Sequence, residues 1–265
     1  MNLDPSTDPQ TALRQRAAQL NLNGLIAHWD EAVAGHVDLV ARFIDWEERE
    51  RSDRGLKRRL RNARLGAFKP IADFDWQWPR VCDRAAISDL MTLGFVKEAT
   101  NVVLIGGNGI GKTTIAQNLL HQSLLRGHSA LMANASAMLG DLAAQDSERA
   151  LRRRIDYYAR PQVLLIDEVG YLSYANRHAD LLFEIVNRRY EAKSTIVTTN
   201  RVFTEWNAVF PTATCVVSII DRLVHHAEVI KIEGDSYRAK EAHEREAARN
   251  AARRHKARPA KGDRS

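Results

Sequence analysis

The sequence predicts an α/β protein, a doubly wound parallel sheet carrying a phosphate loop, preceded by a small all-helical domain. Three observations predict it. Gly106 to Thr113 fits the pattern G-x-x-x-x-G-K-[ST] in full, between a strand-like run (Val102 to Ile105) and a helix-like run (Thr113 to Arg126). Val163 to Ile166 is apolar throughout and ends in Asp167-Glu168, as suits a strand buried on both faces whose carboxyl end meets a ligand. From there on strands alternate with helices, the pattern of right-handed β-α-β units.

Residues 1–10 hold two Asp-Pro steps and are expected to be disordered. Residues 11–69 read as a helical, basic N-terminal domain. Leu22, Leu25/Ile26, Trp29 and Val33 recur at helical spacing, and Leu39/Val40, Phe43 and Ile44 continue it. In a helix from Glu47 to Lys69, Arg54, Lys57, Arg58, Arg61 and Arg64 fall within an arc of about 120°, opposite Leu56, Leu60 and Ala63. The first half has the i, i+4 pairs of a solvated helix: Glu47–Arg51, Glu50–Arg54 and Asp53–Lys57. In the second half Arg58, Arg59, Arg61 and Arg64 have no acid three or four positions on, which leaves them for phosphates. These five stripe residues are the candidate DNA contacts; a protein partner or a merely soluble face are the alternatives.

Residues 70–100 read as a linker and short helix. Phe74, Trp76 and Trp78 alternate between Pro70 and Pro79, a pattern that stacks on bases or, as favoured here, packs the linker against the core. A helix over Arg84 to Leu93 leads into the core, residues 101–238.

Glycines at 106, 107, 109 and 111 let successive backbone amides turn inward, and the following helix presents its positive end to an anion. The expected nucleotide contacts are Gly106, Gly107, Asn108, Gly109, Ile110, Gly111, Lys112, Thr113 and Thr114. Lys112 is expected on the β- and γ-phosphates of ATP, with the Thr113 hydroxyl and Asp167 holding Mg²⁺. Glu168 is expected to orient or deprotonate the attacking water.

A strand at Ala130 to Ala133 is followed by two helices, Ala137 to Ala144 and Ser147 to Tyr158. Arg149, Arg152, Arg153 and Arg154 make the second a basic patch or an exposed face offset by Glu148 and Asp156. A helix (Asp180 to Tyr190), a strand (Thr195 to Thr198), a helix around Ser218 to His225 and a strand (Val229 to Ile232) follow. Asn200 is placed to meet the γ-phosphate or the water, though an Asn there also caps helices and turns. Arg222 reads as an arginine finger or as half of an internal ion pair. Residues 239–265, rich in Ala, Arg and Lys, are expected to be a frayed helix or disordered basic tail.

The composition is that of a soluble protein: 45% hydrophobic and 27% charged, with net charge +6. The positive balance suits a polyanionic partner. No apolar run approaches about 20 residues and no secretory signal is evident, so membrane partners are excluded and a cytoplasmic location is expected. The two cysteines, Cys82 and Cys215, form no framework, and the His225-His226 pair lacks the usual spacing of a zinc site, so a structural or surface role is expected for it.

The order of parts resembles the IstB family, the helper ATPases encoded beside the transposase of certain insertion sequences. The carriers are GGNGIGKT, the two helices before VLLIDE, IVTTN, and above all DRLVHHAEVIKIEGDSYR, Asp221 to Arg238. That resemblance implies an AAA+ fold of the initiator and helicase-loader clade. It implies ATP bound between subunits of a homo-oligomer, with Lys112, Thr113, Asp167, Glu168 and Asn200 from one and Arg222 from the next. It also implies duplex DNA and a cognate transposase as partners. No helical lid domain is expected, since little apolar sequence follows the Val229 strand, so a lid arginine is either absent or replaced, with Arg238 a candidate. A replicative helicase loader of DnaC type is the rival reading.

Overall fold

The structure, a computed structural model, describes residues 8–171, 176–210 and 214–256. Its contacts divide the chain into two units, Met1–Arg59 and Leu60–Ser265.

In the first unit α1 (Pro9–Gln19) starts on the Asp8 carboxylate, which accepts from the Thr11 amide at 3.2 Å, with proline in the first turn. Two short helices, α2 (Asn23–Ala27) and α3 (Trp29–Val33), lead into the long α4 (Val37–Asn62). Leu13, Ala17, Leu20, Trp29, Val33, Val40 and Ile44 form its core. Arg16 fixes α1 to α4 by donating to Asp45 at 2.5 Å and to both oxygens of Glu48 at 2.6 and 2.9 Å. That guanidinium holds the Glu48 carboxyl below its ordinary range. Leu39 and Phe43 do not continue the buried stripe. Val40 and Ile44 occupy it, and Leu39, Phe43 and Trp46, at i, i+4 and i+7, stand 45–54% exposed on another face.

The helix predicted to run to Lys69 stops at Asn62. The core captures the chain there: the Met132 amide donates to Ala63 O at 2.8 Å and Gln117 Nε2 to Leu65 O at 3.1 Å. Arg64, at φ 54°, therefore leaves the cationic stripe, and its guanidinium lies 5.5 Å from the Tyr157 ring centroid.

In the second unit, after a single 3₁₀ turn (Ile71–Asp73), come α5 (Arg84–Leu90), α6 (Gly94–Lys97), β1 (Asn101–Gly106) and α7 (Lys112–Leu125). The helix expected to reach Leu93 ends at Leu90, because Leu93 takes a left-handed turn (φ 68°). Then follow β2 (Ala130–Asn134), α8 (Ala135–Ala143), α9 (Glu148–Ala159), β3 (Val163–Val169), α10 (Asn176–Arg189) and β4 (Ser194–Thr199). A 3₁₀ turn (Phe203–Glu205), α11 (Trp206–Val209), α12 (Val216–Val224), β5 (Ala227–Ile232) and α13 (Tyr237–Lys256) complete it. The strands pair parallel in the order β2-β3-β4-β1-β5. Alternate residues of the central strands point to opposite faces, so Val103, Leu164, Ile166 and Val197 join one apolar cluster while Val102, Leu104, Leu165 and Ile196 join the other. Among the described residues no helix is long and apolar enough to cross a membrane.

At the amino edge of the sheet Arg189 is only 1% exposed. It donates to the carbonyls of Ala159, Pro161, Gln162 and Ser194 and to Thr195 Oγ1, at 2.5–3.2 Å. Burial pushes the guanidinium down to about 9, so it stays charged at neutral pH, held by carbonyl dipoles. Arg189→Met should cost roughly 3–5 kcal/mol, since it strands several buried carbonyls at once. Urea unfolding followed by circular dichroism checks this, and a loss within about 1 kcal/mol would show that water takes over those carbonyls.

Candidate nucleotide-binding site

β1 ends at Gly106, and five residues separate it from the start of α7 at Lys112. A Cβ on Gly106 would stand 2.1 Å from the Ile232 carbonyl oxygen, so only glycine lets β1 leave the sheet beside β5. Gly111 precedes α7 at φ 100° with the Phe74 ring against it, and a Cβ there would stand 2.5 Å from Phe74 Cε2. The loop curls around Lys112, which is 9% exposed and donates from Nζ to the carbonyls of Gly106 and Gly107 at 2.8 and 2.6 Å. Burial lowers its pKa; Asp167 and Glu168 oppose that shift and Arg238 adds to it. A cavity of about 560 Å³ opens over the loop, lined by Asn108 to Thr114 and by Glu168, Asn200 and Arg238 among others. That size suits a nucleotide. Ile110 contributes backbone only, its side chain being buried in the core.

The acid pair sits on an irregularity of β3. Ile166 pairs with Val197 and Val169 with Thr199, so Asp167 and Glu168 together stand opposite Thr198. The Thr198 hydroxyl serves both, donating to Asp167 Oδ1 at 2.5 Å and accepting from the Glu168 amide at 2.9 Å. Asp167 Oδ1 also accepts from the Thr113 hydroxyl at 2.9 Å. Glu168 is at φ 64°, a conformation rare for a residue with a side chain. Its carboxylate is exposed to the cavity and accepts from Asn134 Nδ2 at 2.8 Å.

Asn200 lines the cavity with its Oδ1 buried and unpaired among the described residues. The neighbouring turn is held by Thr199, whose hydroxyl accepts from the Arg201 amide at 3.1 Å, so Asn200 is not used as that cap. Arg222 is not among the residues lining the cavity. It lies over Phe183 (4.7 Å) and Tyr190 (5.9 Å) on the α10 side and makes no ion pair among the described residues. Lys57, Arg58 and Arg61 are exposed on α4, whereas Arg54 is tied to Glu50 at 3.3 Å and Glu47 at 3.8 Å. In the second basic patch Arg152 pairs with Glu148 and Arg154 with Asp141, which leaves Arg149 and Arg153 exposed.

Sequence reasoning missed three participants. Asn134 reads as the cap of α8, which it is, accepting from the Ser136 and Ala137 amides; nothing in its neighbourhood signals the bond to Glu168. Thr198 reads as an ordinary strand threonine. The third is a wall made by the linker and the start of α13. The Tyr237 amide donates to Gly109 O at 2.9 Å, Trp78 Nε1 to Asp235 O at 2.7 Å, and Lys240 Nζ meets Asp75 at 3.1 Å. Phe74 and Trp78 thus pack on the core, as expected, and the basic tail begins as an ordered helix whose first turn borders the cavity.

Fold and site together define a P-loop ATP-binding protein of AAA+ type. A DnaI crystal structure shares that fold, with a TM-score of 0.53 at 20% identity over 65% of this chain and 90% of that one. Residues 13–245 match the IstB-like ATP binding protein family, and the chain belongs to it. Similar proteins include an ATP-binding protein of insertion sequence IS21 from Pseudomonas aeruginosa, 36% identical over 72% of each chain. Another, an insertion-sequence ATP-binding protein of Mycobacterium tuberculosis, is 33% identical over 86% of this chain and 94% of its own.

Gly106→Ala should abolish nucleotide binding and lower the melting temperature by several degrees, because its Cβ meets backbone that cannot yield. Gly107→Ala meets nothing within 4 Å and should melt like the parent. Thermal melts with and without a fluorescent ATP analogue separate the two, and equal melts would contradict the close approach at Ile232.

Proposed function

We propose that this protein is an ATP-dependent, DNA-binding helper of a transposase, which assembles as a homo-oligomer on duplex target DNA and uses ATP hydrolysis as its switch. One observation carries the reading: membership of the IstB-like family, whose similar members are named for insertion sequences. The site supports the chemistry. Loop amides and Lys112 bind the phosphates, and the oxygen donors Thr113 and Asp167 suit Mg²⁺, which when bound neutralises charge on them. The buried Asn200 Oδ1 is an acceptor that an attacking water satisfies, and Glu168 takes that water's proton once its carboxylate leaves Asn134. Arg222, away from its own cavity, is available to a neighbouring subunit's ATP. Lys57, Arg58 and Arg61 would meet DNA phosphates, with Arg54 and Arg64 secondary because each already has a partner. The protein acts in the cytoplasm.

Duplex binding and particle size, measured with ATP, with ADP and for Glu168→Gln in ATP, test the proposal. ATP and the Gln variant should give large DNA-bound assemblies that weaken steeply with salt, and Arg58→Ala/Arg61→Ala should lower the salt slope by about 2. A protein that stays small and ignores duplex in every state would overturn it. Turnover should fall by about 10² or more in Glu168→Gln. It should rise several-fold in Asn134→Ala, which frees Glu168; unchanged hydrolysis there would mean that the Asn134 contact imposes no restraint. The second reading, a replicative helicase loader, draws on the exposed Leu39, Phe43 and Trp46 of α4, which suit a protein partner, and co-purification with helicase would favour it.

A further inference from the structure

Far from the phosphate loop in sequence, the ends of α10 and α12 bring together Glu191, His225 and His226. One ligand atom from each lies within 4.8 Å of the others. The measured separations are 3.5 Å from His226 Nε2 to Glu191 Oε1 and 3.8 Å from His225 Nδ1 to the same oxygen. Donors around a tetrahedral ion with bonds near 2.1 Å stand about 3.4 Å apart, so two of the three edges are nearly at length. The two imidazole centroids are 4.1 Å apart. All three side chains are about half exposed, at 51–54%, so small rotations close the remaining gap without disturbing the core.

The surroundings favour a built cluster over three surface residues meeting by chance. Glu191 sits in the left-handed region at φ 55°, held there where the Ala192 and Lys193 amides both close on Arg189 O. The Tyr190 hydroxyl is 2.8 Å from His225 Nδ1 and holds that ring beside Glu191; an ion bound at Nδ1 takes the place of this hydrogen bond. Two imidazoles and one carboxylate, with a side open to water, are the donors of a borderline divalent transition ion and not of Mg²⁺.

We propose that Glu191, His225 and His226 bind one zinc-class divalent ion, which ties the end of α10 to the end of α12. The site is separate from the nucleotide cavity and shares no residue with it. It borders Arg222, whose guanidinium lies over Tyr190, the residue that also contacts His225. Occupancy therefore stiffens the segment that carries Arg222.

The test uses the full chain without a histidine tag, with Mg²⁺-ADP in excess so that Thr113 and Asp167 are occupied, at about pH 7.5. Zn²⁺ is titrated calorimetrically and Co²⁺ by visible absorption, for the parent, His226→Ala, Glu191→Ala and the control His28→Ala. The proposal expects one equivalent of Zn²⁺ and four-coordinate Co²⁺ bands in the parent and control. It expects affinity at least 10-fold weaker in the other two, and a Zn²⁺-dependent rise in melting temperature that those two lose. No Zn²⁺ uptake by the parent, or affinity unchanged in both His226→Ala and Glu191→Ala, would overturn it. Unchanged ADP affinity in each variant establishes that the fold is intact.

Discussion

Ile166 pairs with Val197 and Val169 with Thr199, so the two acids of β3 have one threonine opposite them. That extra residue in the strand is the constraint on which the site is built. In a regular parallel strand Asp167 and Glu168 would point to opposite faces of the sheet. The bulge instead turns Glu168 through φ 64° into the cavity while Asp167 stays buried under Thr113. Thr198 makes the arrangement affordable by satisfying the Glu168 amide that the broken ladder releases and by donating to Asp167. A hydroxyl both gives and takes a hydrogen bond here; valine of similar shape would leave the Glu168 amide unpaired and Asp167 Oδ1 with the Thr113 hydroxyl alone.

The opposite edge of the sheet is held by a comparable device with the sign reversed. There a buried guanidinium, Arg189, gathers the carbonyls of the loop before β3 and of Ser194 in β4. No acid accompanies it among the described contacts, and an acid would have added its own desolvation cost. Fixing both starts of the central strands fixes their register, and the register decides which residues reach the carboxyl edge. The same arginine accepts on its backbone carbonyl the amides of Ala192 and Lys193, so the turn that displays Glu191 depends on it as well.

Much of this was legible in the sequence where a residue's chemistry is expressed by its immediate neighbours. The phosphate loop, the apolar run into Asp167-Glu168 and the alternation of strands and helices all place correctly, because each rests on local periodicity or on a motif that needs its own flanks. Element ends were less legible. α4 stops at Asn62 because Met132, seventy residues on, takes the carbonyl of Ala63; the local pattern of leucines and arginines carries no trace of that. Leu39 and Phe43 fit a helical stripe as well as Val40 and Ile44 do, and only the packing of α1 and α3 selects between the faces. Asn134 and Thr198 escaped for the same reason, each having a sufficient local role that hides a long-range one.

The start of α13 forms one wall of the cavity. α13 begins over the loop, with the Tyr237 amide on Gly109 O and Lys240 bridging to Asp75 beneath the ring of Trp78. Those are single bonds at an exposed surface, each of modest strength, and Asp75 and Lys240 gain little from their charge in water. Weak contacts of this type can be exchanged for others at low cost, which a buried latch cannot. Arg238, next to Tyr237, already lies near enough to Lys112 to disfavour its charge. Two cations facing one cavity repel, and a polyanion lying between them removes that repulsion. The helix that starts at the phosphate loop runs outward from there to Lys256.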